Sequence, residues 1–541
     1  MQIFKKVNRK VFLLILLFFL GLALRLYQLD EGLVFQYDQA RDAYRATAIV
    51  KDQDLRLLGP ESDLPGVNHG VGYYYLLALP YTISSNPAVA AAFLAGLNAL
   101  GVFLVFFVSR RILGKVRPAV IASLIFSVSL EVVQYSRWLS NPPLALFSTL
   151  LVFWGAWEWI KGRETGFFWL MAGIAASLHF QFFLVYLFLL PPIVYFIYRP
   201  KISTPQFIKS LSAVFIIDLP FIISELKFNF QMLRALGKFF ISQSAGYTPV
   251  TEFILRYLDR WGSVAFRTLF PLSPTIAMLL LVVCLMIVFR SRRPNQQQLF
   301  PKFLSLWLLS NLPLFVFSPG VLGTEYTFIS ITIAIILLLA YALDRLWETQ
   351  RVPWLAPLLL MLVLLVNVRA NLLQVSSGTD IYAAQNRMNW GDEKRVLDYT
   401  YSEAKGEPFS ICTITNPLFV NTTWAYMYET YGQNRYGYLP FWSGADQKNY
   451  LGKLPPDINK VPLRFLIFEP ASGIPSHAQE VFTELEDYIS TKIDEREFGQ
   501  FKVEKRRLLT NDEMIKQHAS YTEAYNQKHE NPGFLLYRCY K

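Results

Sequence analysis

The sequence predicts a polytopic α-helical membrane protein that carries a C-terminal α/β domain outside the bilayer. Three observations predict it. About eleven apolar stretches each come close to the roughly 20 residues that a helix needs to cross ~30 Å of hydrocarbon. Lys and Arg fall on every second connection between them. After residue 371 the long apolar runs stop, and shorter helix-like and strand-like patterns take over. A chain of 541 residues that is 53% hydrophobic and only 17% charged is too apolar for an ordinary soluble protein and too long for a single domain.

The expected spans are residues 11–29, 88–109, 119–135, 144–160, 167–179, 182–198, 207–224, 271–289, 303–317, 326–343 and 354–368. The stretch 167–198 is read as a tight hairpin of two spans, because only that reading keeps the charge alternation in phase. The first span follows a basic stretch as a signal peptide would. It is long for such a segment, and no small-residue cleavage pattern follows in Arg25-Leu26-Tyr27-Gln28-Leu29-Asp30, so it reads as a retained signal anchor. The basic connections hold Lys5, Lys6, Arg9 and Lys10; Arg110, Arg111, Lys115 and Arg117; Lys161 and Arg163; Arg199, Lys201 and Lys209; Arg290, Arg292 and Arg293; and Arg345 and Arg351. Positive-inside bias makes these cytoplasmic, with the N-terminus inside and the C-terminal domain extracytoplasmic in a plasma (inner) membrane. Most of the net charge of +11 sits in these loops, whereas the chain after Asn371 counts to roughly −3, which argues against nucleic-acid binding.

The expected division is therefore a transmembrane module at 1–371, with exterior loops at 30–87 and 225–270, followed by the exterior domain at 372–541. The second loop has Phe228, Met232, Leu233, Leu236, Phe239 and Phe240 interleaved with Lys227, Arg234 and Lys238, the pattern of a helix lying in the interface. In the tail, 392–404 and 480–492 read as helices, and 409–415, 464–468, 498–505 and 534–539 as strands. Cys284 lies in a span; Cys412 and Cys539 are candidates for a disulfide in an oxidising exterior. Loop lengths in the two halves of the membrane region do not match, which weakens an inverted-repeat transporter reading.

Chemistry-bearing residues gather just outside the spans. In Tyr37-Asp38-Gln39-Ala40-Arg41-Asp42-Ala43-Tyr44-Arg45, a helix starting near Asp38 sets Asp38 and Asp42 one turn apart, with Arg41 and Arg45 able to pair with them. Two readings stay open: a reactive carboxylate beside cations, or Asp38 as the N-cap of an interfacial helix with the arginines snorkelling to head groups. Asn68-His69-Gly70-Val71-Gly72-Tyr73-Tyr74-Tyr75 reads as a backbone turned tightly toward a pocket, followed by aromatic interface anchors. His69 is a candidate proton carrier, phosphate donor or metal ligand, although a lone His is a weak metal signal. Arg137, in Tyr135-Ser136-Arg137-Trp138-Leu139-Ser140-Asn141, is an exterior cation that suits a lipid phosphate or ordinary head groups. Glu131, Asp218, Glu225 and Glu325 lie near outer ends of spans, where ionisable groups face a cavity or a partner.

On these residues the chain resembles the GT-C glycosyltransferases, in particular glycosyltransferase family 39, which includes protein O-mannosyltransferases and the lipid A aminoarabinose transferase. The resemblance rests on Tyr37-Asp38-Gln39-Ala40-Arg41-Asp42, the run ending at Tyr75, Ser136-Arg137 through Asn141, and Gly323-Thr324-Glu325-Tyr326. It implies a GT-C-like fold, a polyprenyl-phosphate-linked sugar donor, a lipid, protein or glycan acceptor approaching from outside, and a bacterial setting read from the family subtype. It also implies Asp38 as catalytic base, with Arg41, Arg45, His69 and Arg137 around the phosphate and Asp42, Tyr74, Asn141, Glu225 and Glu325 as further site candidates. The family often has Asp-Glu where this chain has Asp38-Gln39, and often an acid in place of Asn141. A divalent metal is therefore possible, but not supported by the sequence.

The expected activity is an inverting transfer in which one carboxylate deprotonates an acceptor hydroxyl while the phosphate leaves as a stabilised anion, so a second acid is not required. Two other classes fit parts of the pattern: a transporter or flippase of polyprenyl-linked sugars, and a non-catalytic envelope assembly protein.

Overall fold

The computed structural model describes residues 9–243, 250–290, 299–313, 325–349, 352–376 and 385–513, the last without 386, 419, 445–450, 453, 459 and 511. Within these the chain is mostly helical and forms two compact units. Unit 1 comprises Met1–Tyr27, Gln53–Leu79 and Ala91–Leu373; unit 2 comprises Gln28–Asp52, Pro80–Ala90 and Gln374–Lys541. The first exterior loop is thus shared between the units.

Unit 1 holds the membrane helices. Four segments are long and apolar enough to cross a membrane, Pro87–Leu113, Pro142–Ile160, Tyr326–Trp347 and Leu355–Gln374, and up to seven if three bent pairs each count as one span. Shorter apolar helices run over Thr165–Phe180, Phe182–Tyr198 and Leu299–Leu308. The expected count of about eleven spans is not confirmed among the described residues, where fewer unbroken helices reach that length. The reason lies at polar breaks: the 119–135 stretch bends by 51° at Ser129, and the 207–224 stretch by 57° at Asp218. The Arg9–Leu26 helix is apolar between its terminal charges. Tyr326–Trp347 is the central span, with 94% of its apolar window buried, whereas Leu355–Gln374 is only 33% buried. Long exposed apolar side chains on the outer helices, such as Phe12, Phe196 and Leu365, suit a hydrocarbon solvent. The chain is an integral membrane protein.

Within unit 1, Ala145–Ile160 and Thr165–Phe180 pack closely. A Cβ on Gly155 would lie 2.3 Å from the Leu170 nitrogen, and one on Gly166 2.3 Å from that of Trp159, so glycine at both positions is what lets the backbones approach. The stretch 167–198 is indeed two helical segments, separated at the extended residue Gln181. A two-stranded antiparallel hairpin, β1 (Leu58–Glu61) and β2 (Asn68–Gly70), leads into the helix Gly72–Tyr81.

Unit 2 is built on a five-stranded sheet of β3 (Ser410–Ile414), β4 (Phe441–Trp442), β5 (Leu463–Phe468), β6 (Ser490–Phe498) and β7 (Phe501–Leu508), in the order β4-β3-β5-β7-β6. β3 pairs parallel with β4 and β5, while β7 runs antiparallel to β5 and β6. β3 is buried along its whole length, as a central parallel strand requires. Helix Trp390–Ala404 matches the expected one; the second expected helix occupies Ser476–Asp487, and the chain then turns into β6. The apolar residues Val481, Phe482 and Leu485 are buried in that helix, while the alternating charges from Lys492 onward suit an edge strand. The expected strand at 534–539 lies outside the described residues. Cys412 is held in a disulfide, and Cys539 lies outside the described residues.

Candidate functional site

The candidate residues divide between the two units. Asp38, Arg41, Asp42 and Arg45 belong to unit 2, on the helix Tyr37–Lys51; His69, Tyr74, Arg137, Asn141, Glu225 and Glu325 belong to unit 1.

The Tyr37–Lys51 helix is capped by Gln36, whose side chain meets the N3 backbone while Gln39 Oε1 accepts from the Gln36 backbone N–H at 3.0 Å. The N-cap reading of Asp38 is thereby corrected: a glutamine box performs that task, and Asp38 sits inside the first turn with its side chain 62% exposed. Arg41 binds two carboxylates, with Nη1 2.7 Å from Asp38 Oδ1 and Nη2 2.8 Å from Asp42 Oδ1, while its Nε donates to Asp42 Oδ1 at 2.9 Å. The guanidinium also lies over the Tyr37 ring at 5.6 Å. Asp42 is buried and Arg45 half-buried. One turn further on, the Tyr44 hydroxyl donates to Glu429 at 2.9 Å, and burial together with that carboxylate pushes the Tyr44 phenol well above its ordinary value. The result is an acidic helix start whose inner carboxylate is neutralised by Arg41 and whose outer one, Asp38, faces water.

In unit 1 the polar candidates meet helix ends. The backbone groups freed at the Phe180-Gln181-Phe182 break are satisfied by side chains: Asn141 Nδ2 donates to the Phe180 carbonyl at 2.5 Å, and the Phe182 N–H donates to His69 Nδ1 at 3.0 Å. His179 acts similarly, accepting from the Gly72 N–H at Nδ1 (3.1 Å) and meeting the Ile217 carbonyl at Nε2 (2.9 Å), with Asp218 Oδ1 3.6 Å away. The pocket expected behind the Gly70-Val71-Gly72 turn is filled by this ring: a Cβ on Gly70 would lie 2.5 Å from His179 Nδ1. Arg137 donates to the carbonyls of Arg25 (3.1 Å) and Tyr27 (2.6 Å) at the end of the first helix. Glu225 accepts from the Met232 and Leu233 N–H groups, both at 3.1 Å, at the start of helix Gln231–Gln243. Glu325 opens a short 3-10 turn, and Gly323 and Thr324 lie outside the described residues.

The expected aromatic anchors are corrected in part. Tyr73 and Tyr74 are buried, packed in the helix Gly72–Tyr81, and only Tyr75 is exposed, its hydroxyl donating to the Arg56 carbonyl at 2.9 Å. Three groups that the sequence reading did not single out are central here. Arg25 is fully buried and donates to Asn98, Gly21 and Ser127; Arg267 pairs with Glu131 in the interior of unit 1; His179 organises the hairpin. An arginine or histidine inside an apolar run is itself the signal, since such residues are rare in spans unless they are paired. Among the described residues no group of three His, Cys, Asp or Glu could hold a metal ion.

No family model and no curated protein matches the chain. Solved structures do. The Archaeoglobus fulgidus oligosaccharyltransferase in its apo form is 11% identical, with a TM-score of 0.45 over 78% of this chain and 64% of its own. Apo ArnT from Cupriavidus metallidurans is 11% identical, with a TM-score of 0.46 over 92% of this chain and 98% of its own. The arabinofuranosyltransferase AftD from Mycobacteria is 15% identical, with a TM-score of 0.42 over 75% of this chain and 31% of its own. This chain thus spans under two thirds of the first and about a third of the last.

Proposed function

We propose that this protein is an inverting glycosyltransferase that moves a sugar from a polyprenyl-phosphate donor to a hydroxyl acceptor on the exterior face of the membrane. The observation that carries the reading is the start of the Tyr37–Lys51 helix, where a water-facing Asp38 carboxylate is held by Arg41 against a second, buried carboxylate. Asp38 accepts the proton of the acceptor hydroxyl as that oxygen attacks the anomeric carbon from the face opposite the phosphate. The anomeric C–O bond to phosphate breaks, and the polyprenyl phosphate leaves as an anion without needing a protonated acid. Arg41 fixes the direction of Asp38, and Arg45, one turn along, is the cation proposed for the growing phosphate charge.

Two further features support the setting. The basic loops favour an N-terminus inside, and the disulfide at Cys412 suits an oxidising exterior for the tail. Within unit 1 a cavity of ≈ 650 Å³ is lined by Leu187, Leu190, Ile193, Ile197, Leu306 and Leu309, together with Lys302, a surface suited to a prenyl chain.

The test is transfer from a panel of radiolabelled polyprenyl-phosphate sugars by the purified protein in native lipid extract. Transfer from one donor supports the reading. Donor binding with no transfer from any of them points to the flippase class.

A further inference from the structure

Three segments far apart in sequence build a second concavity, wholly within unit 2. It has a volume of ≈ 360 Å³, and its walls include Asp30, Asn86, Trp390, Lys394, Tyr431 and Asn434. That volume lies at the small end of the ~300–1,000 Å³ typical of small-molecule pockets. We propose that this pocket binds a neutral saccharide.

The chemistry of the lining makes the argument. Tyr431 stands edge to face on the buried Trp390, with centroids 6.4 Å apart, and its half-buried ring gives an apolar wall that suits the C–H face of a sugar ring. Trp390 is fixed from behind by Phe35, 5.2 Å away, and Tyr431 by its hydroxyl bond to Asp398 at 3.1 Å, so the wall is preorganised. The charges cancel in pairs. Lys394 Nζ lies 2.6 Å from Asp30 Oδ2, and Arg435, stacked on Tyr431 at 5.6 Å, has its Nε 3.6 Å from Asp398 Oδ1. An anion would meet a compensated surface, whereas hydroxyl groups find donors and acceptors of both kinds. Two amides remain for this purpose. Asn86 uses Oδ1 on the Ala88 N–H at 2.9 Å, and its Nδ2 makes no hydrogen bond among the described residues; the exposed Asn434 makes no side-chain bond among them at all.

Saccharide binding stands on this lining alone. The further assignment, that the bound saccharide is the glycan part of the acceptor, rests on the glycosyltransferase reading. The test uses the full chain in lipid nanodiscs free of sugar detergents, with maltose, cellobiose, mannobiose and chitobiose as probes and glucuronate and inorganic phosphate as anionic controls. Saturation-transfer NMR titrations should show saturable binding of at least one neutral disaccharide. Affinity should weaken by about tenfold in Asn434→Ala and in Tyr431→Ala, and stay unchanged in Asp38→Asn. Asn434 is exposed, so its variant keeps the fold should Tyr431→Ala fail to accumulate. Binding of no neutral probe, binding of the anions only, or equal binding by Asn434→Ala overturns the proposal. Transfer retained by Asp38→Asn would overturn the catalytic reading alone and leave the pocket standing.

Discussion

Arg137 and Asp38 are both exterior charges in the sequence, yet the structure gives them opposite surroundings. Arg137 is buried and bonds the last carbonyls of the first helix, so Arg137→Ala leaves those carbonyls unsatisfied at a cost of about 1–3 kcal/mol and lowers the amount of folded protein in membranes. Quantitative blotting of membrane fractions checks this, and Asp38→Asn, on an exposed side chain, should leave the amount unchanged. Gly70→Ala brings a Cβ within 2.5 Å of His179 Nδ1 and should destabilise unit 1 by about 1–3 kcal/mol, read as a lower thermal midpoint. Glu469 makes a different kind of prediction. Burial raises its carboxyl from 4.5 to about 7, against the opposing effect of bonds from the Asn416 N–H and Trp424 Nε1. Below 4.5 both the folded and unfolded chains hold the proton. Between 4.5 and about 7 only the folded state does, so stability falls as pH rises through that window and stays lower above it. Unit 2 should therefore melt lower at pH 8 than at pH 5, and Glu469→Gln should shrink that difference by roughly 3 kcal/mol in tryptophan-monitored unfolding.

At the scale of elements, apolar length and periodicity made the helices legible, and strand composition made β3 and β5 legible almost to the residue. The breaks were not. A polar residue inside an apolar run, such as Asp218, reads equally as the end of a span or as a bend, and only its partners decide between them; here His179 and the Ile217 carbonyl lie beside it. The same holds for His69 and Asn141. His69 is a candidate proton carrier, phosphate donor or metal ligand by residue type and Asn141 a site candidate by resemblance, while their present partners are backbone groups at a helix break, which no local pattern announces. The Tyr37–Lys51 helix was legible down to the Arg41–Asp38 pair, because i,i+3 spacing is a local property. Its Gln36–Gln39 cap was overlooked, although the three-residue spacing was present. Replacing Gln36 by Ala should cost about 0.5–2 kcal/mol by removing the cap and should lower activity by loosening the first turn that carries Asp38, with a smaller loss than at Asp38 itself.

For the whole molecule, composition identified an integral membrane protein, since it is a sum over many residues and survives local error. The assignment of residues 28–52 and 80–90 to the same compact unit as the tail was not legible, because it depends on long-range packing such as Phe35 against Trp390 and Tyr44 against Tyr426 and Glu429. This grouping has a consequence for the proposed enzyme: the segment bearing the base folds with the tail and not as a free loop of the membrane module. Cys412→Ser should accordingly lower the stability of unit 2 by about 2–5 kcal/mol and reduce transfer in parallel, measured as matched thermal midpoints and initial rates.

The central claim is that Asp38 is the base of a sugar transfer. The most direct measurement compares initial transfer rates from the active polyprenyl-phosphate sugar for the native protein and Asp38→Asn, at equal amounts of folded protein in native lipid extract. The account predicts a fall of about 10²–10⁴-fold in the rate with donor binding retained. A variant that transfers sugar at the native rate would contradict it.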